Sequence, residues 1–240
     1  MAALIFFTKL FLIVIWCILV TIYGVILCYV RWGDKNLTSY WAHLVGIGVM
    51  KITGIQIEVE GRENLNRRPC VLVGNHQSAF DVASFGYIHP GHVVMVAKKE
   101  LAKWPIVGTF FKASGAVLID RDSRSNSFAK IEAAQVAFQD PRVCMGFYPE
   151  GTRNKGDGML PFKKGAFHIA IRNKVPVVPM VSGSLKPLID YEKKKFGPGV
   201  LKFKILEPIE TANLGKEDVA SLTQSTREKM LKAFYEISKT

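Results

Sequence analysis

The amino-acid sequence predicts an α/β fold, in which a mixed, largely parallel sheet is flanked by helices and preceded by an N-terminal two-helix membrane element. Two observations lead to this prediction. From Ile55 onward, short apolar runs alternate with longer amphipathic stretches, which is typical of strands connected by helices. The first 30 residues, in contrast, are apolar and carry one charged side chain, Lys9. We therefore expect a membrane-anchoring element over residues 1–54 and an α/β domain over residues 55–240.

The N-terminal segment Leu10–Val30 is long and apolar enough to form a membrane helix. It contains no charged residue, and a helix of this length spans roughly 30 Å, the thickness of a bilayer core. Tyr29, Arg31 and Trp32 are typical residues of a membrane interface. A cleaved signal peptide is the main alternative, but the apolar run is longer than usual and no small-residue cleavage site follows it. The sequence therefore favours an anchor.

A second helix is predicted from Tyr40 to Ile52, after a turn at residues 33–36. Helical spacing places five residues on one apolar face: Trp41, Leu44, Val45, Gly48 and Ile52. Such a face suits a helix that lies at the membrane interface, and it equally suits a helix packed into the protein core. The sequence leaves these two interpretations open.

The remainder of the chain contains the strands and helices of the predicted domain. Seven runs predict strands: Ile55–Val59, Val71–Val73, Val93–Val96, Ala116–Ile119, Val143–Phe147, Val177–Val181 and Leu201–Ile205. Four amphipathic runs predict helices: Asp81–Tyr87, Ser125–Phe138, Lys164–Arg172 and Lys216–Ser238. Because strands and helices alternate, the sheet is expected to be covered on both faces.

Composition limits the classes of partner. The chain has 32 Lys and Arg against 20 Asp and Glu, a net charge of +12, which favours anionic partners or serves as a solubilising surface. Zinc-finger spacing, RNA-binding aromatic motifs and dense Arg tracts are absent from the sequence, so no nucleic-acid partner is expected.

The four cysteines form no C-x-x-C pair, and no third ligand is placed beside His89 and His92. No metal site is expected.

The first candidate site contains His76 and Asp81, just after the predicted strand Val71–Val73. The end of a strand that leads into a helix is where α/β folds gather polar side chains. If the helix begins after His76, the Asp81 carboxylate can reach back to the imidazole and leave the other ring nitrogen free as a general base. Such a pair occurs by chance in roughly one chain in six of this composition. A helix-capping Asp beside a structural His is the alternative.

A second candidate site follows the strand Val143–Phe147. Pro149 ends the strand, Gly151 permits a tight turn, and Arg153 would project from the loop. Arg binds phosphate oxygens through two parallel hydrogen bonds. An ordinary turn with a surface Arg is the alternative.

Two more basic side chains follow strand ends. Lys98 comes after Val93–Val96, and Arg121 comes after Ala116–Ile119. They would add positive charge at a bound phosphate, or they are simply solvated charges.

Taken in order, four blocks of this sequence closely resemble the glycerolipid acyltransferase family. The family pattern is N-H-x4-D, then K-x-E-L with a later G-x-[IV]-x-[IV]-D-R, then F-P-E-G-T-R, then V-P-[IV]-[IV]-P. The matching segments are Asn75-His76…Asp81, Lys98…Glu100-Leu101, Gly115…Asp120-Arg121, Phe147…Glu150-Gly151-Thr152-Arg153 and Val175-Pro176…Pro179. The resemblance covers about Cys70 to Met180. Tyr148, which stands between Phe147 and Pro149, is one local departure.

This resemblance implies an acyltransferase domain that acts in phospholipid biosynthesis and needs no metal or other cofactor. His76 and Asp81 would deprotonate the 2-hydroxyl of lysophosphatidic acid, which attacks an acyl thioester of CoA or acyl carrier protein to give phosphatidic acid. Arg153 would bind the acceptor phosphate. The other residues implied at the acceptor are Glu150, Gly151 and Thr152, with Lys98 or Arg121 assisting.

Two rival functions remain at this stage. One is the same chemistry on another lysolipid acceptor. The other is a catalytically silent membrane protein that binds lipid phosphate, which the presence of both His76 and Asp81 disfavours. We expect a membrane protein of the bacterial inner membrane. Because acyl thioesters are cytosolic, its catalytic domain is expected on the cytoplasmic face. Membrane lipids are then its surroundings and its substrates.

Overall fold

The computed structural model describes residues 2–31, 34, 36–89, 91–104, 108–109, 117–119, 135–154 and 158–239, and its centre is a seven-stranded sheet. The strands are β1 (Ile55–Glu60), β2 (Cys70–Gly74), β3 (Val93–Lys98), β4 (Val117–Ile119), β5 (Cys144–Phe147), β6 (Val177–Ser182) and β9 (Gly199–Ile205). Their order across the sheet is β1-β9-β6-β2-β5-β3-β4. Neighbouring strands run parallel except β6 and β9. Each of the seven predicted strands lies in this sheet, and the predicted fold class is confirmed.

Helices cover both faces of the sheet. The first face carries α1 (Ala2–Val30), α2 (Leu37–Thr53) and α3 (Phe80–Ile88), and the second carries α4 (Gly165–Asn173) and α5 (Val219–Ser238). The central strand β2 is apolar at successive positions because its alternate side chains enter the two cores, one on each face of the sheet. Cys70 and Leu72 pack on the first face, and Val71 and Val73 pack on the second. Of the predicted helix Ser125–Phe138, residues 125–134 lie outside the described residues, and residues 135–137 are helical.

The N-terminal helix α1 is apolar and lies along the surface of the protein. Of the described helices it alone is long and apolar enough to cross a membrane, with a mean hydropathy of 2.9 over its most apolar window. Only 17% of that window is buried, so α1 differs from the core helix of a soluble protein. Its outward side chains include Leu4, Phe7, Phe11 and Ile18. An exposed apolar surface marks a contact with a membrane or with another protein.

The second helix α2 is packed on two sides. Its predicted apolar face contacts α1, where the Trp16 indole donates a hydrogen bond to the Leu44 carbonyl (3.0 Å) and its ring lies against Gly48. Its opposite face packs against α3 through Gly46 and Gly86. Both helices of the predicted N-terminal element are therefore present. The burial of α2 fits a core-packing helix better than a helix at the membrane interface.

The contact between α2 and α3 is close enough that glycine is required at Gly86. A Cβ atom at this position would lie 2.3 Å from the Ala42 carbonyl oxygen. Because that oxygen belongs to a helix backbone, the helices would have to move apart. We expect Gly86→Ala to lower the free energy of unfolding by about 1–3 kcal/mol.

Denaturant unfolding in detergent micelles measures this effect. Gly165→Ala is the matched control, because no atom lies within 4 Å of a Cβ built at that helical glycine. Equal stability of Gly86→Ala and the unmodified protein would contradict the close crossing.

A two-stranded hairpin, β7 (Ile189–Asp190) and β8 (Lys195–Phe196), packs against the beginning of α1. The rings of Phe6 and Phe196 stack with their centroids 4.6 Å apart. One turn further along α1, the ammonium of Lys9 donates to the Thr53 carbonyl at the end of α2 (2.8 Å). The single charged side chain of the N-terminal segment thus binds a helix C-terminus, where a cation is favourable.

His89 ends α3 as a buried neutral histidine and makes stability depend on pH. Its Nδ1 accepts the Gly91 N–H (3.1 Å). Burial lowers the pKa of His89 to about 4, and the charges of His43 and Arg68 act in the same direction. Between pH 6.5 and pH 4 the unfolded chain therefore binds more protons than the folded protein, so stability falls as the pH is lowered.

We expect this one group to reduce the free energy of unfolding by about 3 kcal/mol between pH 7 and pH 4. The measurement is denaturant unfolding of the unmodified protein and of His89→Gln across this range. The difference between the two should shrink as the pH falls, and parallel curves would rule out His89 as the titrating group.

Candidate active site

The loop between β2 and α3 carries the first candidate site at the carboxyl edge of the parallel strands. β2 ends at Gly74, α3 begins at Phe80, and His76 lies between them. Asp81 therefore stands in the first turn of α3, and its side chain reaches back to the loop. This edge is where α/β folds hold their polar chemistry.

His76 and Asp81 form a hydrogen-bonded pair. The distance from His76 Nδ1 to Asp81 Oδ2 is 2.8 Å, and the same oxygen accepts the backbone N–H groups of Gln77 and Ser78. Asp81 is only 3% exposed, so its carboxylate is shielded from water. Because the carboxylate accepts a hydrogen bond from Nδ1–H, Nε2 of the imidazole is left free to accept a proton. The pair is arranged as a general base and its orienting partner.

Side-chain amides fasten this loop to the end of β6. Asn75 exchanges two hydrogen bonds with the backbone of Ser182, at 2.8 and 3.0 Å. The Gln77 amide donates to the Gly183 carbonyl (2.9 Å) and accepts the Leu185 N–H (3.1 Å). These bonds fix the backbone on both sides of His76. Sequence reasoning missed Gln77 and Ser182, because residues more than 100 positions apart share no local pattern.

Glu150 lies in the turn after β5, and its carboxylate points into the protein. One oxygen accepts the His76 N–H and the other accepts the Leu160 N–H, both at 2.8 Å. Burial raises the pKa of Glu150, while these two hydrogen bonds oppose the shift. Glu150 is thus placed to hold the loop that carries His76, since its two oxygens are already engaged.

The rest of this turn faces outward. Gly151 adopts a left-handed conformation with φ of 71°, and a Cβ there would lie 2.7 Å from the ammonium of Lys163. Thr152 and Arg153 are exposed. Lys163 was not found from the sequence, because it follows the motif by ten residues and belongs to no strand or helix. Two cations therefore lie here, Arg153 in the turn and Lys163 beside it.

The other predicted basic residues are only partly described. Lys98 is the last residue of β3, so its backbone lies at the same edge of the sheet, two strands away from β2. The structure describes the backbone of Lys98 and not its side chain. Arg121 falls among the residues that are not described.

Two tyrosines complete the surroundings of His76. The ring of Tyr148 stacks on the imidazole, with centroids 4.3 Å apart and planes 18° apart. Tyr191, from the β7–β8 hairpin, lies near Ser78 and Arg153. Burial raises the pKa of the Tyr191 hydroxyl, while Ser78 and the charge of Arg153 oppose the shift. The hairpin therefore borders the site on the side of Arg153.

A histidine–carboxylate pair at the strand edge of an α/β sheet, with cations beside it, is an arrangement that can activate a hydroxyl group near an anion. Comparison with known proteins identifies the enzyme class. The acyltransferase family model matches residues 56–183, and the chain belongs to this family. The resemblance seen in the sequence is thereby confirmed.

Relatives with this fold and sequence cover most of the chain. It is 34% identical to the 1-acyl-sn-glycerol-3-phosphate acyltransferase of Saccharomyces cerevisiae over 90% of this chain and 73% of that protein. It is 34% identical to the alpha form from Homo sapiens, over 93% of this chain and 79% of that protein. Identity to the Haemophilus influenzae enzyme of the same name is 28%, over 95% of both chains.

A solved structure is similar over nearly the whole length. The crystal structure of the 1-acyl-sn-glycerophosphate acyltransferase from Thermotoga maritima matches with a TM-score of 0.77 and 24% identity. The match covers 98% of this chain and 95% of that one. The N-terminal helices are therefore part of the shared fold.

Proposed function

We propose that this enzyme transfers a fatty acyl group from an acyl thioester to the 2-hydroxyl of 1-acyl-sn-glycerol 3-phosphate, forming phosphatidic acid for phospholipid biosynthesis. One observation carries the proposal: His76 Nδ1 is bonded to Asp81 at 2.8 Å, which leaves Nε2 free, beside a turn that presents Arg153. The names of the relatives support this choice of acceptor and product.

The reaction follows from the dyad. His76 Nε2 accepts the proton of the 2-hydroxyl as its oxygen attacks the thioester carbonyl, and Asp81 stabilises the imidazolium that forms. The tetrahedral intermediate then releases the thiolate, which takes the proton from His76. The products are phosphatidic acid and a free thiol, of CoA or of acyl carrier protein. No acyl-enzyme and no cofactor are needed.

The E-G-T-R turn is proposed as the site of the acceptor phosphate. Arg153 binds the phosphate, with Lys98 or Arg121 assisting, and Gly151 and Thr152 shape the turn. Glu150 acts by holding the backbone of His76 and Leu160. A phosphomonoester carries a charge near −2 at neutral pH, so several cations are favoured.

The test is an acyl-transfer assay on membranes that contain the enzyme. Lysophosphatidic acid, lysophosphatidylcholine and monoacylglycerol are offered with acyl-CoA and with acyl-acyl carrier protein, and lipid product and free thiol are measured together. Equal amounts of phosphatidic acid and thiol are expected with lysophosphatidic acid. Turnover of another lysolipid alone would redirect the acceptor, and absence of turnover with all three would overturn the function.

The role of Arg153 gives a separate expectation. Loss of a charge-assisted contact to the phosphate should raise KM for lysophosphatidic acid by about 10- to 100-fold in Arg153→Ala. Arg153→Lys should recover part of this loss, because it keeps the charge without the two parallel hydrogen bonds. KM for the acyl donor is the internal control. A donor KM that rises equally would place Arg153 at the thioester.

We propose that residues 1–54 anchor the enzyme and residues 55–240 form the catalytic domain, on the cytoplasmic face of its membrane. The exposed apolar side chains of α1 support the anchor. Because Phe6 contacts the β7–β8 hairpin and Cys28 contacts Leu37 at the other end, α1 stays against the protein along its length. It therefore enters the lipid from one side with its exposed face, where lipid substrates are found.

A further inference from the structure

Lys163 lies beside the E-G-T-R turn without belonging to it in sequence. Its backbone N–H donates to the Pro149 carbonyl (2.8 Å), so the residue is attached to the beginning of the turn. The preceding ring, of Phe162, stacks with Phe167 of α4 with the centroids 6.4 Å apart, and Phe167 is fully buried. The backbone of Lys163 is therefore held between the protein core and the turn.

The side chain of Lys163 lies over Gly151. A Cβ atom built at Gly151 would be 2.7 Å from both Cε and Nζ of Lys163, closer than a real Cβ contact allows. The glycine, whose φ of 71° is left-handed, thus leaves open the space that the lysine side chain occupies. The ammonium is thereby placed against the middle of the turn that also carries Arg153.

The turn itself is bonded to His76 at both of its ends. The Glu150 carboxylate accepts the His76 N–H (2.8 Å), and the Asn154 N–H donates to the His76 carbonyl (2.7 Å). Gly151 and Arg153 lie between these two contacts. In the proposed acceptor the phosphate is attached to the carbon next to the one that carries the reacting hydroxyl. A hydroxyl at His76 therefore brings the phosphate to this turn.

Among the described residues, no acidic side chain neutralises the cations at this turn. Neither Lys163 nor Arg153 forms an ion pair in the part of the chain that the structure describes. Glu150, the acid of the turn, is 3% exposed, and its two oxygens accept the N–H groups of His76 and Leu160. Two exposed cations without a counter-charge produce a positive field that favours a bound anion.

Resting on the proposed function, we propose that Lys163 is a second residue that binds the acceptor phosphate. Arg153 offers two parallel hydrogen bonds, and Lys163 adds a compact charge that meets another phosphate oxygen from the side of Gly151. Their two positive charges match a phosphomonoester, which carries a charge of about −2 at neutral pH.

The experiment measures steady-state acyl transfer by Lys163→Met, which removes the charge and keeps an unbranched apolar side chain. We expect KM for lysophosphatidic acid to rise about tenfold, while kcat, KM for acyl-CoA and the Tm stay unchanged. Lys163→Arg should keep that KM within about threefold of the unmodified enzyme, because it retains the charge. Lys164→Met is the matched control. It removes the adjacent exposed charge, which acts on His168 of α4, and should leave every parameter unchanged.

Four results would overturn this role of Lys163. An unchanged KM for lysophosphatidic acid would make it a solvated surface charge, and an equal rise in Lys164→Met would make the effect one of net charge. A rise in KM for acyl-CoA alone would place it at the phosphates of the donor. A lower Tm in Lys163→Met, with no recovery of KM in Lys163→Arg, would mean that the side chain only shapes the turn.

The same assay separates this role from the proposed function. If the unmodified enzyme acylates lysophosphatidic acid and Lys163→Met has the same KM, the function stands and the role of Lys163 fails alone. If the unmodified enzyme does not acylate lysophosphatidic acid, both fail together.

Discussion

His76→Ala is expected to lower kcat for phosphatidic acid formation by about 10⁴-fold, the range found for loss of a general base that works within a triad. The imidazole is the group whose free nitrogen faces away from Asp81, and its removal leaves the 2-hydroxyl without a proton acceptor. Binding should be less affected, because the acceptor phosphate is proposed to lie at Arg153. KM for lysophosphatidic acid should therefore change by less than about threefold.

The measurement is steady-state acyl transfer at equal amounts of folded enzyme in membranes. His168→Ala is the matched control, since His168 is a partly buried histidine on α4 outside the site. Residual activity within tenfold of the unmodified enzyme would mean that another group takes the proton.

Asp81→Asn is expected to lower kcat by about 10³- to 10⁴-fold while the protein remains folded. An asparagine amide can donate to His76 Nδ1, and the ring hydrogen then moves to Nε2, the position that must accept a proton. The amide also carries no charge to stabilise the imidazolium. In addition, the amide nitrogen that donates to Nδ1 replaces the oxygen that accepted the backbone N–H groups of Gln77 and Ser78. These two donors lose their acceptor, so a loss of stability accompanies the loss of rate.

Asp140→Asn provides the charge-matched control. Asp140 forms a surface ion pair with Arg142 (2.9 Å) in the segment before β5, and its replacement should leave kcat unchanged because exposed pairs contribute little. If Asp81→Asn retained more than about a tenth of the activity, the carboxylate would be a helix cap beside a structural histidine.

The strands were predictable because burial on both sides imposes a visible pattern. Cys70–Val73 is apolar at every position and fully buried, which only a central strand of a covered sheet requires. The β7–β8 hairpin escaped prediction for the opposite reason. Its strands have two residues each and are joined by Tyr191, Glu192, Lys193 and Lys194, a charged sequence that is typical of a loop.

The site was predictable where its residues are neighbours in the chain. His76 and Asp81 are five residues apart, and one turn of helix brings them together. The inward direction of Glu150 depends on the fold, because its partners His76 and Leu160 come from different loops. The stacking of Tyr148 on His76 likewise depends on the pairing of β2 with β5, which no local pattern encodes.

The attachment of α1 has a consequence for preparing a water-soluble form of the enzyme. Truncation before α2 would uncover Phe196, the face of Leu44 and Gly48 that carries Trp16, and the carbonyl of Thr53. The shortened protein would lose one apolar helix but would expose the apolar surface that this helix had covered, part of it on the hairpin that borders the candidate site. A useful soluble version would need polar replacements on that surface and a new cap for the end of α2.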